Sequence, residues 1–93
     1  MTTTRIDRLR AALQTALRPM ELDLEDESHL HVGHAGAATG RGHFRVRIVS
    51  AAFQGLSPVA RHRAVYAALG SLMETDVHAL SILARTPEER DAA

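Results

Sequence analysis

Two short runs of alternating residues, one acidic and one basic, constrain the fold of this chain more than any other feature. Met20, Leu22 and Leu24 alternate with Glu21, Asp23 and Glu25, and Phe44, Val46 and Ile48 alternate with Arg45 and Arg47. A period of two with one apolar face is the pattern of a half-buried strand. The polar faces carry opposite charge, which suits the two strands to cross-strand pairing. Between them, Ser28 to Gly42 holds four of the six glycines. That segment is too glycine-rich for regular structure and too long for a tight hairpin turn. Loops of such length in compact domains are usually functional or disordered.

The remaining elements follow from caps and periodicity. Thr4 and Asp7 stand at capping-box spacing, and Ile6, Leu9, Leu13, Ala16 and Leu17 then repeat on one face of a helix that Pro19 ends. Ser57-Pro58 reads as an N-cap followed by proline, opening a helix whose apolar stripe is expected to run through Val59, Val65, Tyr66, Leu69, Leu72 and Met73. Val77 to Ala84 is almost continuously apolar, as expected of a strand covered on both faces. Thr86-Pro87 opens a short polar tail. The order is helix, strand, strand, helix, strand, an α+β arrangement with the helices on one face of a small sheet. One domain is expected over 1–93, with a core from about 4 to 86 and a polar tail from 87 to 93. A right-handed crossover through the second helix makes the last strand parallel to the second. Parallel strands start at the same edge, so His78 is expected beside the glycine-rich loop, more than 40 residues away in sequence.

Composition narrows the chemistry. There is no cysteine, which excludes disulfides, thiolate zinc sites and cysteine nucleophiles. No iron–sulfur cluster is expected on the isolated chain, because such clusters are held mainly by thiolates. No lysine, serine elbow or phosphate-binding glycine fingerprint is present, so an enzyme is not expected. No apolar run approaches ~20 residues and no secretory signal opens the chain, so a cytoplasmic protein without a membrane span is the expectation. The formal net charge is zero, yet no acid occurs from Ser28 to Met73, where Arg41, Arg45, Arg47, Arg61 and Arg63 lie. This basic middle reads either as a solvated outer face or as a positive surface.

Five of the six histidines fall in that same stretch. His29, His31 and His34 suit borderline metals, but nothing in a glycine-rich loop fixes their geometry. The alternative is a solvated loop that happens to contain histidines, with a simple divalent-metal buffer as a third, weaker option. His62 lies on the apolar stripe and is expected to be buried and structural. His43, at a strand edge, also reads as structural. His78 opens an apolar strand next to Asp76, where packing alone does not account for a polar residue, and it is the strongest ligand candidate.

Taken together, Asp26-Glu27-Ser28 with His31, His43-Phe44-Arg45-Val46, Phe53-Gln54-Gly55, Arg61-His62-Arg63 with Val65-Tyr66, and Val77-His78-Ala79-Leu80 resemble the BolA family over nearly the whole chain. The resemblance implies a fold similar to the class II KH domain, α-β-β-α-β, with a three-stranded mixed sheet. It further implies a partner of monothiol glutaredoxins in iron–sulfur cluster assembly, trafficking or iron regulation. A [2Fe–2S] cluster would be shared with glutaredoxin and glutathione in a heterodimer, the free chain being a monomer or weak homodimer. By that resemblance His78 matches the strand ligand and His31 the loop ligand, with His34 as the loop alternative. Some family members regulate transcription, and Arg45, Arg47, Arg61 and Arg63 would then contact DNA phosphates. Phe53-Gln54-Gly55-Leu56 carries one glycine where the KH nucleic-acid clamp has two, which argues against base-specific RNA binding.

Overall fold

The capping box forms as its spacing requires. The Thr4 hydroxyl accepts the Asp7 amide at 3.1 Å and the Asp7 carboxylate accepts the Thr4 amide at 3.2 Å, opening α1 (Arg5–Leu17). Hydrogen bonding to the carboxylate by the Thr4 side chain, and then by the Thr4 amide, holds the Asp7 carboxyl below the usual aspartate range. Leu9 and Leu13 are fully buried, worth roughly 1.5–3 kcal/mol each. The helix ends where Arg18 turns left-handed (φ 44°) ahead of Pro19. The computed structural model describes residues 4–28 and 41–90, so His29, His31 and His34 lie outside the described residues.

The two alternating runs pair antiparallel, as their charges anticipate. β1 (Glu21–Asp26) meets β2 (Gly42–Val49) with Asp23 opposite Arg47 and Glu25 opposite Arg45. Phe44, Val46 and Ile48 point to the core, and Arg45 and Arg47 to the other, open face. A short 3-10 turn (Ala51–Phe53) then buries Phe53 completely. Ser57 caps α2 (Pro58–Leu69), its hydroxyl accepting the Ala60 amide at 3.2 Å with Pro58 at the start.

The second helix is shorter than its apolar stripe predicts. Gly70 adopts φ 57°, ψ −130°, a conformation open essentially to glycine alone. The chain breaks there and resumes as the single turn α3 (Leu72–Thr75). The stripe is also differently phased. Val65 and Leu69 are buried with Ala64 and Ala68 against them, whereas Val59 and Tyr66 are exposed. His62 shares that outer side and is exposed rather than buried. Val65 and Leu69, with the small Ala64 and Ala68 beside them, form the inward face of α2, and that face sets its rotation.

The last strand, β3 (Val77–Arg85), runs parallel to β2, giving the sheet order β1-β2-β3. Both helical layers cover one face only. Hence β3 is not sandwiched: His78, Ala79, Ser81 and Leu83 are exposed, while Leu80, Ile82 and Ala84 pack inward. The described part of the tail is helical. Thr86 is buried and α4 (Pro87–Arg90) folds back, with the Arg61 guanidinium hydrogen-bonded twice to the Glu89 carboxylate. The result is an α+β layer pair with a three-stranded mixed sheet. No helix among the described residues is long and apolar enough to cross a membrane.

Candidate functional site

The parallel pairing brings the starts of β2 and β3 together. The Gly42 amide donates to the Asp76 carbonyl at 2.9 Å, and Gly42 stands opposite Val77. The next pair is His43 with Ala79, so His78 is an extra residue in the ladder, a β-bulge. The bulge has a clear effect on direction. Val77 faces the core, His78 and Ala79 both face out, and Leu80 turns back in. Strict alternation from Val77 would have sent Leu80, Ile82 and Ala84 into solvent.

His78 therefore projects from the open end of the sheet on a rigid strand. Its ring lies 5.1 Å, centroid to centroid, from the half-buried ring of His43, tilted by 44°. A guanidinium nitrogen of Arg41 sits 3.4 Å from its Nδ1, and the other terminal nitrogen of Arg41 donates to the Glu74 carbonyl at 3.4 Å. An arginine donates only, so this contact puts the lone pair on Nδ1 and the proton of a neutral ring on Nε2.

The floor beneath His78 is an ion cluster. Asp76 is buried, and Arg8 of α1 donates to its carboxylate at 2.6 Å and 3.2 Å, with Arg5 at 3.5 Å. The Thr75 hydroxyl donates to it at 2.7 Å, and this bond together with Arg8 holds the Asp76 carboxyl below the usual range. One residue thus ties α1 to the starts of β2 and β3.

His43 is held from the other side by the Asp26-Glu27-Ser28 segment. The Asp26 carboxylate accepts the Ser28 amide at 2.9 Å, the Ser28 hydroxyl accepts the His43 amide at 3.0 Å, and the Glu27 amide donates to the His43 carbonyl at 2.7 Å. Glu27 also reaches Arg45 at 3.4 Å. Gly42 must lack a side chain here. A Cβ would stand 2.7 Å from both the Phe44 ring and the Ser28 hydroxyl.

Of the sequence candidates, His78 is placed at this end of the sheet, and His43, read from sequence as structural, joins it. The parallel-strand argument already contained that signal, since His43 opens β2. The four arginines do not form one patch. Arg45 and Arg47 lie on the open sheet face opposite acids, Arg63 lies on α2 across the sheet, and Arg61 is engaged by Glu89 and by the Leu56 and Ala84 carbonyls. Among the described residues, no group of three or more His, Cys, Asp or Glu could hold a metal ion unaided. A site at His78 needs donors from elsewhere.

Comparison with known proteins now decides the family. Residues 13–89 match the family described as BolA-like protein. The chain belongs to the BolA-like family. It is 47% identical over 88 residues to the chloroplast protein BOLA1 of Arabidopsis thaliana, covering 91% of this chain and 55% of that protein. It is 49% identical over 87 residues to the chloroplast and mitochondrial SufE-like protein 1 of the same plant, covering 88% of this chain and 24% of that one. This BolA-like chain thus spans about half or less of the length of these relatives. The solved structure of BolA1 from Arabidopsis thaliana superimposes with a TM-score of 0.82 at 44% identity, covering 96% of this chain and 98% of that one.

Proposed function

We propose that this BolA-like chain is the thiol-free half of a shared [2Fe–2S] site, completed by a monothiol glutaredoxin and glutathione, in cluster assembly, trafficking or iron regulation. The observation that carries the reading is His78: an exposed imidazole on a bulged, ion-anchored strand of a chain without a single cysteine. Such a donor is pre-positioned but insufficient, which is what a half-site requires. His78 would ligate, with His31 or His34 as the loop donor. The SufE-like name of one relative supports a place in iron–sulfur assembly. A bound cluster supplies one-electron chemistry or is itself the cargo, and imidazole ligation raises its potential relative to all-thiolate ligation.

The protein's own residues do the positioning. The Asp76 cluster fixes the strand start, the bulge turns the ring outward, and Arg41 holds Nδ1 until a partner arrives. Ligation through either nitrogen requires Arg41 to move or the ring to change tautomer. The division of the arginines over several surfaces gives no comparable support to a DNA-binding role.

The test is to mix the chain with a monothiol glutaredoxin, iron, sulfide and glutathione. A co-eluting complex whose visible absorbance and circular dichroism differ from those of the glutaredoxin homodimer is the expected outcome. An unchanged spectrum without co-elution refutes the proposal.

A further inference from the structure

The free edge of β3 has properties that sheet edges normally avoid. β1 takes the odd-numbered groups of β2: Glu27 donates to the His43 carbonyl and Met20 to the Val49 carbonyl. The even-numbered Phe44, Val46 and Ile48 therefore turn to β3, where a parallel ladder joins each to the neighbours of its opposite residue, namely Ala79, Ser81, Leu83 and Arg85. The bond from the Ser50 amide to the Arg85 carbonyl, 3.0 Å, continues that series. By alternation the backbone groups of Leu80, Ile82 and Ala84 point away from the sheet. The Ala84 carbonyl is taken by Arg61 at 3.2 Å. Leu80 and Ile82 thus present both their amide and their carbonyl outward.

Among the described residues, only the Arg61 contact to the Ala84 carbonyl blunts this edge. From Val77 to Ala84 there is no formally charged residue and no proline, and the one bulge lies at the far end, at His78. Edges of this length normally carry a charge, a proline or a cover. The strand itself exposes an apolar group: Leu83 is 41% exposed. A groove between α2 and β3, lined by Pro58, Arg61, His62, Ile82, Leu83 and Ala84, borders the same edge.

We infer that this edge pairs with the β3 edge of a second copy, antiparallel about a two-fold axis at Ser81, to make a continuous six-stranded sheet. The register follows from the available groups. Antiparallel strands exchange two bonds between residues that both face the partner. With Ala84 held by Arg61, Leu80 of one copy meets Ile82 of the other, and the symmetry repeats the pair. Ser81 then faces its own copy, and Ala79 faces Leu83. Leu80 and Ile82 join on the core face of the sheet, extending it. The ends match in charge, because Arg85 falls opposite Val77, next to the turn that carries the exposed Glu74. No like charges stand opposite each other along the ladder. The two His78 residues end up roughly 20 Å apart, so the self-paired form does not gather them into one site, and this inference does not depend on the proposed cluster role.

The absence of cysteine makes a direct test possible. Ser81 is exposed, and its pair is a non-hydrogen-bonded one with Cα atoms about 4.5 Å apart, within disulfide range. Ser81→Cys is expected to form a disulfide-linked dimer rapidly under mild oxidation. Ala79→Cys and Leu83→Cys should cross-link when mixed far faster than either alone. Thr15→Cys, exposed on α1 far from the edge, is the control and should cross-link slowly. Sedimentation of the native chain should show the mass moving from 10.1 kDa toward twice that with concentration. Ser81→Lys, setting two ammonium groups face to face, should hold it at the monomer with unchanged circular dichroism. A native chain that stays monomeric at millimolar concentration overturns the inference. So does a Ser81→Lys dimer, or equal cross-linking of Ser81→Cys and Thr15→Cys. Loss of glutaredoxin association in Ser81→Lys, with the native chain monomeric throughout, would assign the edge to that partner and overturn self-pairing.

Discussion

At the scale of single residues, His78 is set apart by what lies beneath it. Its backbone is fixed by the bulge and by Asp76 two residues earlier, so its imidazole is in place before any partner binds. A loop donor must first be ordered, at about 1–2 kcal/mol per residue fixed, and His29, His31 and His34 stand close enough in sequence to substitute for one another. In the glutaredoxin mixture, His78→Ala is therefore expected to abolish the histidine signature of the spectrum. His31→Ala should weaken it, and only the combined loop replacement should match the His78 loss. A signature that survives His78→Ala but vanishes on one loop change would show that the rigid ligand is misassigned. Asp76 gives the matching stability prediction. Its carboxylate is buried but Arg8 is 42% exposed and can be resolvated, so Asp76→Ala should cost about 1–2 kcal/mol, read from the urea midpoint. No shift of the midpoint would mean the cluster contributes nothing net. His78 and its proximity to β2 were legible in the sequence, because the parallel crossover places it. The Asp76 cluster was not, since its arginines come from a helix 68 residues away in the chain.

At the scale of elements, the features that local chemistry controls were legible, and those that tertiary packing controls were not. Thr4, Ser57-Pro58 and the two alternating runs each announce a cap or strand, and each forms where its sequence puts it. The break at Gly70 interrupts an apolar stripe that continues on paper through Leu72 and Met73. The rotation of α2 follows Val65 and Leu69, with Ala64 and Ala68, rather than Val59 and Tyr66, so His62 ends up exposed. The open outer face of β3 could not be read from an uninterrupted apolar run, which looks the same at an edge as at a centre. The tail shows a further device. Hydrogen bonds from Arg61, with the Thr86 amide, hold the Glu89 carboxyl at about 2, well below its ordinary 4.5. A depressed carboxylate stabilises the fold fully above its unfolded value and loses that contribution as pH falls. The attachment of α4 should thus be complete above about pH 4.5 and be released toward pH 2. Carbon-detected titration of the Glu89 carboxyl checks this: a low midpoint in the native chain, and one raised toward 4.5 in Arg61→Gln, which keeps the Thr86 amide bond. A native midpoint near 4.5 would deny the lock.

For the whole molecule, the governing fact is that among the described residues the helices cover one face of the sheet. The Cα envelope measures 39 × 28 × 19 Å. One apolar seam must therefore hold the fold, and it has few large groups to use. Three aromatic residues are present, Phe44, Phe53 and Tyr66. Two are spent inside: Phe44 from the central strand is 2% exposed, and Phe53 from the 3-10 turn is 0%. Phe53 lies where the chain leaves the sheet for α2, so it joins the layers at the point where the crossover begins. Removing it opens a cavity that neighbours on two elements cannot both close, a change worth about 3–5 kcal/mol. A small domain has roughly 5–15 kcal/mol in total, and one this size sits toward the lower end. Phe53→Ala is thus expected to remove a large share of the stability, and Tyr66→Ala, on an exposed helix face, about 0.5 kcal/mol or less. Urea unfolding of the two variants decides the matter, with a large fall in midpoint for the first and little change for the second. Comparable shifts would mean that the exposed face of α2 is as important to the fold as the seam, and that the one-sided core is not what holds this chain together.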